Sequence, residues 1–224
     1  MLSTATPTTT RTTRPRRAGL VTWYPSTKLG PGPCTALAQA ADGLVLHGAT
    51  GARTGMAMRK AGYEGWLALD PAAAVKPGNA GQPNLFGTCE WLERQKALRV
   101  SNFLSPGEFV PVGEIPALRR IVSEQAAWVA GAPAPARISL YLDARWIARQ
   151  PDAIVSALAA DADAGTAVAV ALGHGADPLQ LSNGVQGFVH LLRSIGDLAL
   201  LRGDLAAVGG WIHGAAWTAI GTGT

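Results

Sequence analysis

Cysteine is scarce in this 224-residue chain, which carries only Cys34 and Cys89. Two thiols outside any Cys-x-x-Cys pair cannot build a disulfide framework. Both are expected to be packed, in a reducing, cytoplasmic compartment. Charge is low as well, at 15% of residues, where an average soluble chain has about 25%. No apolar run reaches the roughly 18 residues of a membrane-spanning helix, so no membrane partner is expected. The start of the chain lacks the apolar core of a secretory signal. Neither the dinucleotide fingerprint nor the P-loop pattern occurs. Gly48-Ala49-Thr50-Gly51-Ala52-Arg53-Thr54-Gly55 comes closest, and it reads as a Gly-rich turn in which Arg53 can meet an anion.

The net charge of +4 is a local property. Arg11, Arg14, Arg16 and Arg17 lie in a Thr-rich stretch without acids, and the remaining basic and acidic groups balance at 15 each. Residues 1–17 are expected to be a disordered tail and residues 18–224 a single domain. A nucleic-acid surface needs Lys and Arg clustered on the folded body, and the neutral body gives that reading no support.

What the chain does have is a rhythm of short apolar runs and Ala-rich stretches. The runs are 20–23, 44–47, 66–69, 98–103, 138–142, 167–172, 198–201 and 217–220. They are apolar at consecutive positions, as parallel strands buried on both faces are. Between them, 33–41, 51–61, 90–97, 116–130, 151–164, 184–194 and 204–213 read as helices. Pro116 suits a first helical turn, and Asp152 favours the helix dipole. Eight strands alternating with helices predict a parallel α/β fold, a (β/α)8 TIM-type barrel. The alternative is an open doubly wound sheet. No room is left for an eighth helix before Thr224, so either the barrel is incomplete, or the chain continues, or the strands number fewer than eight.

In such a barrel the C-terminal ends of the strands converge on one pocket. Two long loops, 70–89 and 104–115, rise from that face and are expected to serve binding. His47 ends the second run, and a neutral imidazole there suits a general base. Asp70 ends the third, as a base or nucleophile. Asn102 follows the fourth as a substrate contact. Asp143 ends the fifth, two residues before Arg145, and this pair suits an acid held ionised beside an anionic substrate group. His174 follows the sixth run between glycines, and Arg202 follows the seventh. Lys76 lies on the first long loop and can join when the loop closes. Gly221 and Gly223, in Ile-Gly-Thr-Gly-Thr, offer backbone N–H groups of the kind that cradle phosphate. His47, His174 and the aspartates lack diagnostic metal-ligand spacing, and no motif specifies a cofactor. The seven tryptophans read mostly as core.

The ending from Leu198 through Thr222, with Gly214-Ala215 leading into Trp217-Thr218-Ala219-Ile220-Gly221-Thr222, resembles in its rhythm the last strand–helix–strand of tRNA-guanine transglycosylase barrels. The family's Asp-Ser-Gly-Gly-Phe-Gln motif is replaced by Asp70-Pro71-Ala72-Ala73 after the third run. Its late catalytic aspartate would fall near Thr218–Ile220, where there is no acid, and its zinc-binding cysteines would fall beyond Thr224. The resemblance implies recognition of a nucleobase or nucleic acid, with Asp70 as the one residue carried over.

Three functions are thus open. The first is an enzyme acting on a small polar or anionic substrate, with Asp70, Asp143, His47 and His174 doing the chemistry and Arg145, Arg202, Asn102 and Lys76 binding. The second is a transglycosylase-like barrel. The third is a non-catalytic scaffold whose missing helix leaves a groove for a partner or a second copy.

Overall fold

The computed structural model describes residues 20–23, 25, 28–71, 88–173, 179, 181–203 and 207–221. Among the described residues, strands and helices alternate: β1 (Leu20–Trp23), α1 (Pro31–Ala40), β2 (Gly43–His47), α2 (Gly48–Lys60), β3 (Trp66–Asp70), α3 (Thr88–Ala97), β4 (Phe103–Leu104), β5 (Phe109–Val110), α4 (Ile115–Gly131), β6 (Ala136–Asp143), α5 (Arg145–Arg149), α6 (Pro151–Asp161), β7 (Val168–Gly173), α7 (Gly184–Ser194), β8 (Leu198–Gly203), α8 (Ala207–Ile212) and β9 (Trp217–Ile220). Every pairing is parallel, in the order β3-β2-β1-β9-β8-β7-β6-β4, with β5 also on β6. β4 and β5 lie along the same neighbour and form two halves of one stave, so the segments make eight staves. Ala68 of β3 bridges Asn102 just ahead of β4 and brings the sheet round on itself. The fold is a nearly closed (β/α)8 TIM-type barrel with helices outside.

The strand sequences explain the layering. In β6, Ile138, Leu140 and Leu142 pack outward with α4, α6 and α7, while Tyr141 joins the interior. In β2 and β3, Leu44, Leu46, Leu67 and Leu69 pack outward with α1 to α3, while Val45 and Ala68 face inward. Large aliphatics thus alternate with small or polar residues inside runs that look uniformly apolar. The helices match this with one apolar stripe each. In α4 the stripe is Leu118, Ile121 and Val122, with the polar Gln125 buried beside them, and Pro116 sits in the first turn.

The barrel floor is aromatic and charged. Trp66 and Trp217 meet edge to face at 5.4 Å. The Arg137 guanidinium lies over the Trp217 ring, donates to Asn102 Oδ1 at 2.9 Å, and pairs with Asp197 at 2.8 Å. A buried cation is tolerable here because Nε and Nη1 have acceptors, one of them a carboxylate, and an aromatic face lies beside it.

The closing seam between β3 and β4 is short. Beyond the Ala68–Asn102 bridge, Ser101 N–H donates to the Leu67 carbonyl at 2.7 Å. Higher up, Leu104 turns its peptide edge away from β6, and a side chain meets it there. Gln95 of α3, fully buried, accepts the Leu104 N–H at 2.8 Å and donates to the Leu104 carbonyl at 3.0 Å. Trp91 Nε1 donates to the same carbonyl at 2.7 Å. The Gln95 amide therefore meets Leu104 as a peptide unit of a neighbouring strand would.

Four sequence expectations are corrected. The fourth strand is not 98–103. Leu98, Arg99 and Val100 donate their N–H groups to Arg94, Lys96 and Gln95, closing the end of α3, and Arg99 adopts φ 49°. Leu98 and Val100 are apolar because they anchor that helix end in the core. The loop 104–115 contains the upper half of the same stave. The Gly48–Gly55 stretch is helix, not turn. A Cβ on Gly55 would lie 2.6 Å from Leu98 Cδ2 and 2.9 Å from Leu46 Cδ1, so this glycine serves close helix–strand packing. Cys89 is exposed, whereas Cys34 is buried as expected, and both are free thiols. Among the described residues no helix is long and apolar enough to cross a membrane.

Gln95→Leu leaves the Leu104 N–H buried without an acceptor. The expected cost is about 1–3 kcal/mol, seen in thermal unfolding as a fall in Tm of roughly 2–4 °C per kcal/mol for a chain of this size.

Candidate active site at the barrel mouth

Inward positions at the tops of the strands carry most of the polar chemistry. His47 and Asp70 end β2 and β3 and are direct partners in register, so their backbones lie about 4.8 Å apart. Asp70 is 2% exposed and Tyr141 1% exposed. The Tyr141 hydroxyl donates to Asp70 Oδ1 at 2.6 Å, a short bond of the charge-assisted kind. His47 is half-buried. Burial pushes its pKa below the ordinary 6.5 and outweighs the nearby Asp70 carboxylate and the Pro25 backbone hydrogen bond, which both pull upward, while Arg202 adds to the lowering. In the neutral form the imidazole donates one ring N–H to the Pro25 carbonyl.

Arg202 reaches this corner through a strand irregularity. The register shifts between Val170 and Ala171 on one side of β8 and between Leu200 and Gly203 on the other. Leu201 faces the interior, and Arg202 stands opposite the inward Ala171. Two successive residues therefore turn inward, which is how a bulge re-aims a side chain. Sequence alternation alone assigns one of the two to the outside.

Asp143 ends β6 in the same rim, 2% exposed. It accepts the Arg145 backbone N–H at 2.9 Å and the Arg145 Nε at 2.9 and 3.1 Å on its two oxygens. This contact holds the Arg145 guanidinium in its charged form. Arg145 is thus turned onto Asp143, and the pair forms a polar wall of the mouth. Gly173, Gly203 and Gly221 end β7, β8 and β9 or follow directly, so on that side of the rim the backbone is open next to Arg202.

His47, Asp70 and Arg202 come together, with Asp143 and Arg145 on the same rim. Asn102 does not join them. It precedes β4, at the N-terminal end of the stave, and accepts from Arg137 in the floor. The cause is the misplaced fourth strand, which reverses the end at which this residue stands. Gly221 is at the mouth, but its N–H donates to the Gly203 carbonyl at 3.1 Å and so continues the ladder instead of cradling phosphate. His174, Lys76 and Gly223 lie outside the described residues. Among the described residues no group of three His, Cys, Asp or Glu side chains is placed to hold a metal ion.

Tyr141 is the site residue that sequence reading passed over. Its signal was present: it stands two residues before Asp143 on one strand and so shares its inward face.

Compared with known proteins, the chain matches no family model and no curated protein. The geometry of the mouth therefore carries the functional reading by itself.

An NMR titration of the His47 ring is expected to give a midpoint below 6.5. Asp70→Asn removes an upward pull and lowers the midpoint further, whereas Arg202→Ala raises it. Since the folded-state pKa is depressed, the unfolded chain binds the proton first. The His47 contribution to stability is therefore complete above about pH 6.5 and declines as pH falls below it. Unchanged midpoints in both variants would show that these groups do not share a site.

Proposed function

We propose that the protein is an enzyme that acts on a small polar or anionic substrate by acid/base or nucleophilic carboxylate chemistry at the barrel mouth. The observation that carries this is the buried Asp70 carboxylate, fixed by the Tyr141 hydroxyl at 2.6 Å beside a histidine kept neutral. Held in this position, the Asp70 carboxylate can take a proton from a substrate or attack it as a nucleophile once substrate excludes water. Its orientation by a phenol is what positioned general bases need. His47, the register partner of Asp70, brings a second titratable group to the same site one strand away. Arg202 supplies the positive charge for an anionic group, set inward by its bulge. The glycine ends of β7, β8 and β9 leave the substrate room to approach backbone.

A nucleobase substrate, as in transglycosylase-type barrels, is a narrower form of this reading. It is favoured by Asp70, the one residue that the resemblance carries over, standing in the mouth.

Ligand binding tests the proposal without a known reaction. Thermal unfolding of the full chain is followed with inorganic phosphate, acetate, a nucleoside monophosphate and guanine, each at millimolar concentration. A ligand of the native state raises Tm by mass action. The expected result is a rise with at least one anion that Arg202→Ala abolishes. A rise with guanine lost in Asp70→Asn selects the nucleobase form. No rise with any of them, or the same rise in both variants, overturns the enzyme reading in favour of a scaffold.

A further inference from the structure

Between Asp70 and Tyr141 lies the fourth stave, whose Phe109 faces inward opposite Tyr141 and whose residue against the phenol ring is Gly107. Asp70 is on β3 and Tyr141 on β6, and β4–β5 runs between them. Two strand spacings amount to about 10 Å. The Tyr141 phenol spans this gap and reaches Asp70 Oδ1 at 2.6 Å. Its ring passes Gly107, in the interruption that splits the stave into β4 and β5. A Cβ built on Gly107 would lie 2.6 Å from both Cδ2 and Cε2 of Tyr141, and 2.9 Å from the Ser139 carbonyl oxygen. Gly107 is not among the glycines with positive φ, so its backbone suits alanine. The ring and the strand behind it are what exclude a side chain.

The interruption is held from several sides. Ser105 Oγ accepts the Ser139 N–H at 2.8 Å, and the Ser105 N–H donates to the Arg137 carbonyl at 3.0 Å. Glu108 pairs with Arg120 of α4. Gly107 is thus pinned directly against the ring. The Ser139 carbonyl fixes the backbone side of the gap, so any added atom must displace the phenol. Ordinary carbon contacts are about 3.5–4.0 Å, so the ring would move by about 1 Å. That is enough to take a 2.6 Å hydrogen bond out of range.

We propose that Gly107 is a positioning residue for Asp70, acting through Tyr141. Its missing side chain lets the phenol cross the stave and fix the carboxylate in the mouth. This rests on the reading of Asp70 as the acid/base group of the site. It explains why the fourth stave is interrupted at the height where the phenol crosses it. An uninterrupted strand with a side chain at this position would wall Tyr141 off from Asp70.

Proton NMR of the full chain tests the proposal. The phenolic proton shared with Asp70 is expected as a downfield, slowly exchanging resonance, assigned by its loss in Tyr141→Phe. Gly107→Ala is expected to lose it while the amide spectrum stays native. A wild-type spectrum without this proton overturns the proposal, as does a Gly107→Ala spectrum that retains it. Should Gly107→Ala fail to fold, Gly107→Ala combined with Tyr141→Leu removes the ring it collides with. Recovery of the native spectrum in the double variant supports the proposal, and an unfolded double variant overturns it. The readout needs no substrate, so a blank ligand panel and a retained phenol proton are separable failures.

Discussion

A parallel sheet that closes on itself must satisfy the outer peptide edge of its last stave, and in this barrel a side chain does so. Gln95 presents an amide to Leu104 just above the Ala68–Asn102 bridge, in the place of a ladder bond to β3. Water cannot reach that edge, and an unpaired buried N–H is costly. The seam thereby fixes three things at once. It sets the height of α3, the start of the fourth stave, and the distance between β3 and β6. The last of these is what brings Tyr141 within 2.6 Å of Asp70. The mouth chemistry thus depends on a hydrogen-bonding substitution made outside the barrel.

The interior is filled unevenly. Barrel cores are ordinarily packed by branched aliphatics in layers. Here Ala169, Ala171, Ala199 and Ala219 line one side, while Trp66, Trp217, Tyr141 and Phe109 contribute the bulk. Large rings near the floor close it, and Arg137 with Asp197 and Asn102 satisfies the polar groups there. Towards the top β7, β8 and β9 end at or next to glycines, with Arg202 turned inward on β8, and the other polar residues gather on β2, β3 and β6. That asymmetry separates a stabilising end from a reactive end within one cylinder.

Most of the architecture was legible because burial on both faces leaves a strong local mark. β1 and β9 fall where the apolar runs are, and α7 is bounded as its stripe requires. His47 and Asp70 were legible as strand ends for the same reason. The fourth stave was not. Leu98 and Val100 look like strand residues because helix-end anchors and strands both bury apolar side chains, and a run of six residues cannot separate them. Asn102 was misplaced as a consequence. Tyr141 was obscured by standing within an apolar run, where an inward aromatic reads as core.

The sequence by itself determined the alternation of strands and helices, the parallel class, and the polar residues at strand ends, since these follow from hydrophobic period and backbone propensity. Tertiary structure alone decided which of those residues meet. Asp70 and Tyr141 are 71 positions apart and have no local pattern that couples them. Arg202 turns inward through a bulge that alternation does not foretell, and Arg145 is folded onto Asp143. Convergence of this kind is set by closure of the sheet, the register between staves and the space left by Gly107. All three are properties of contacts between distant segments, and none is a property of any one segment.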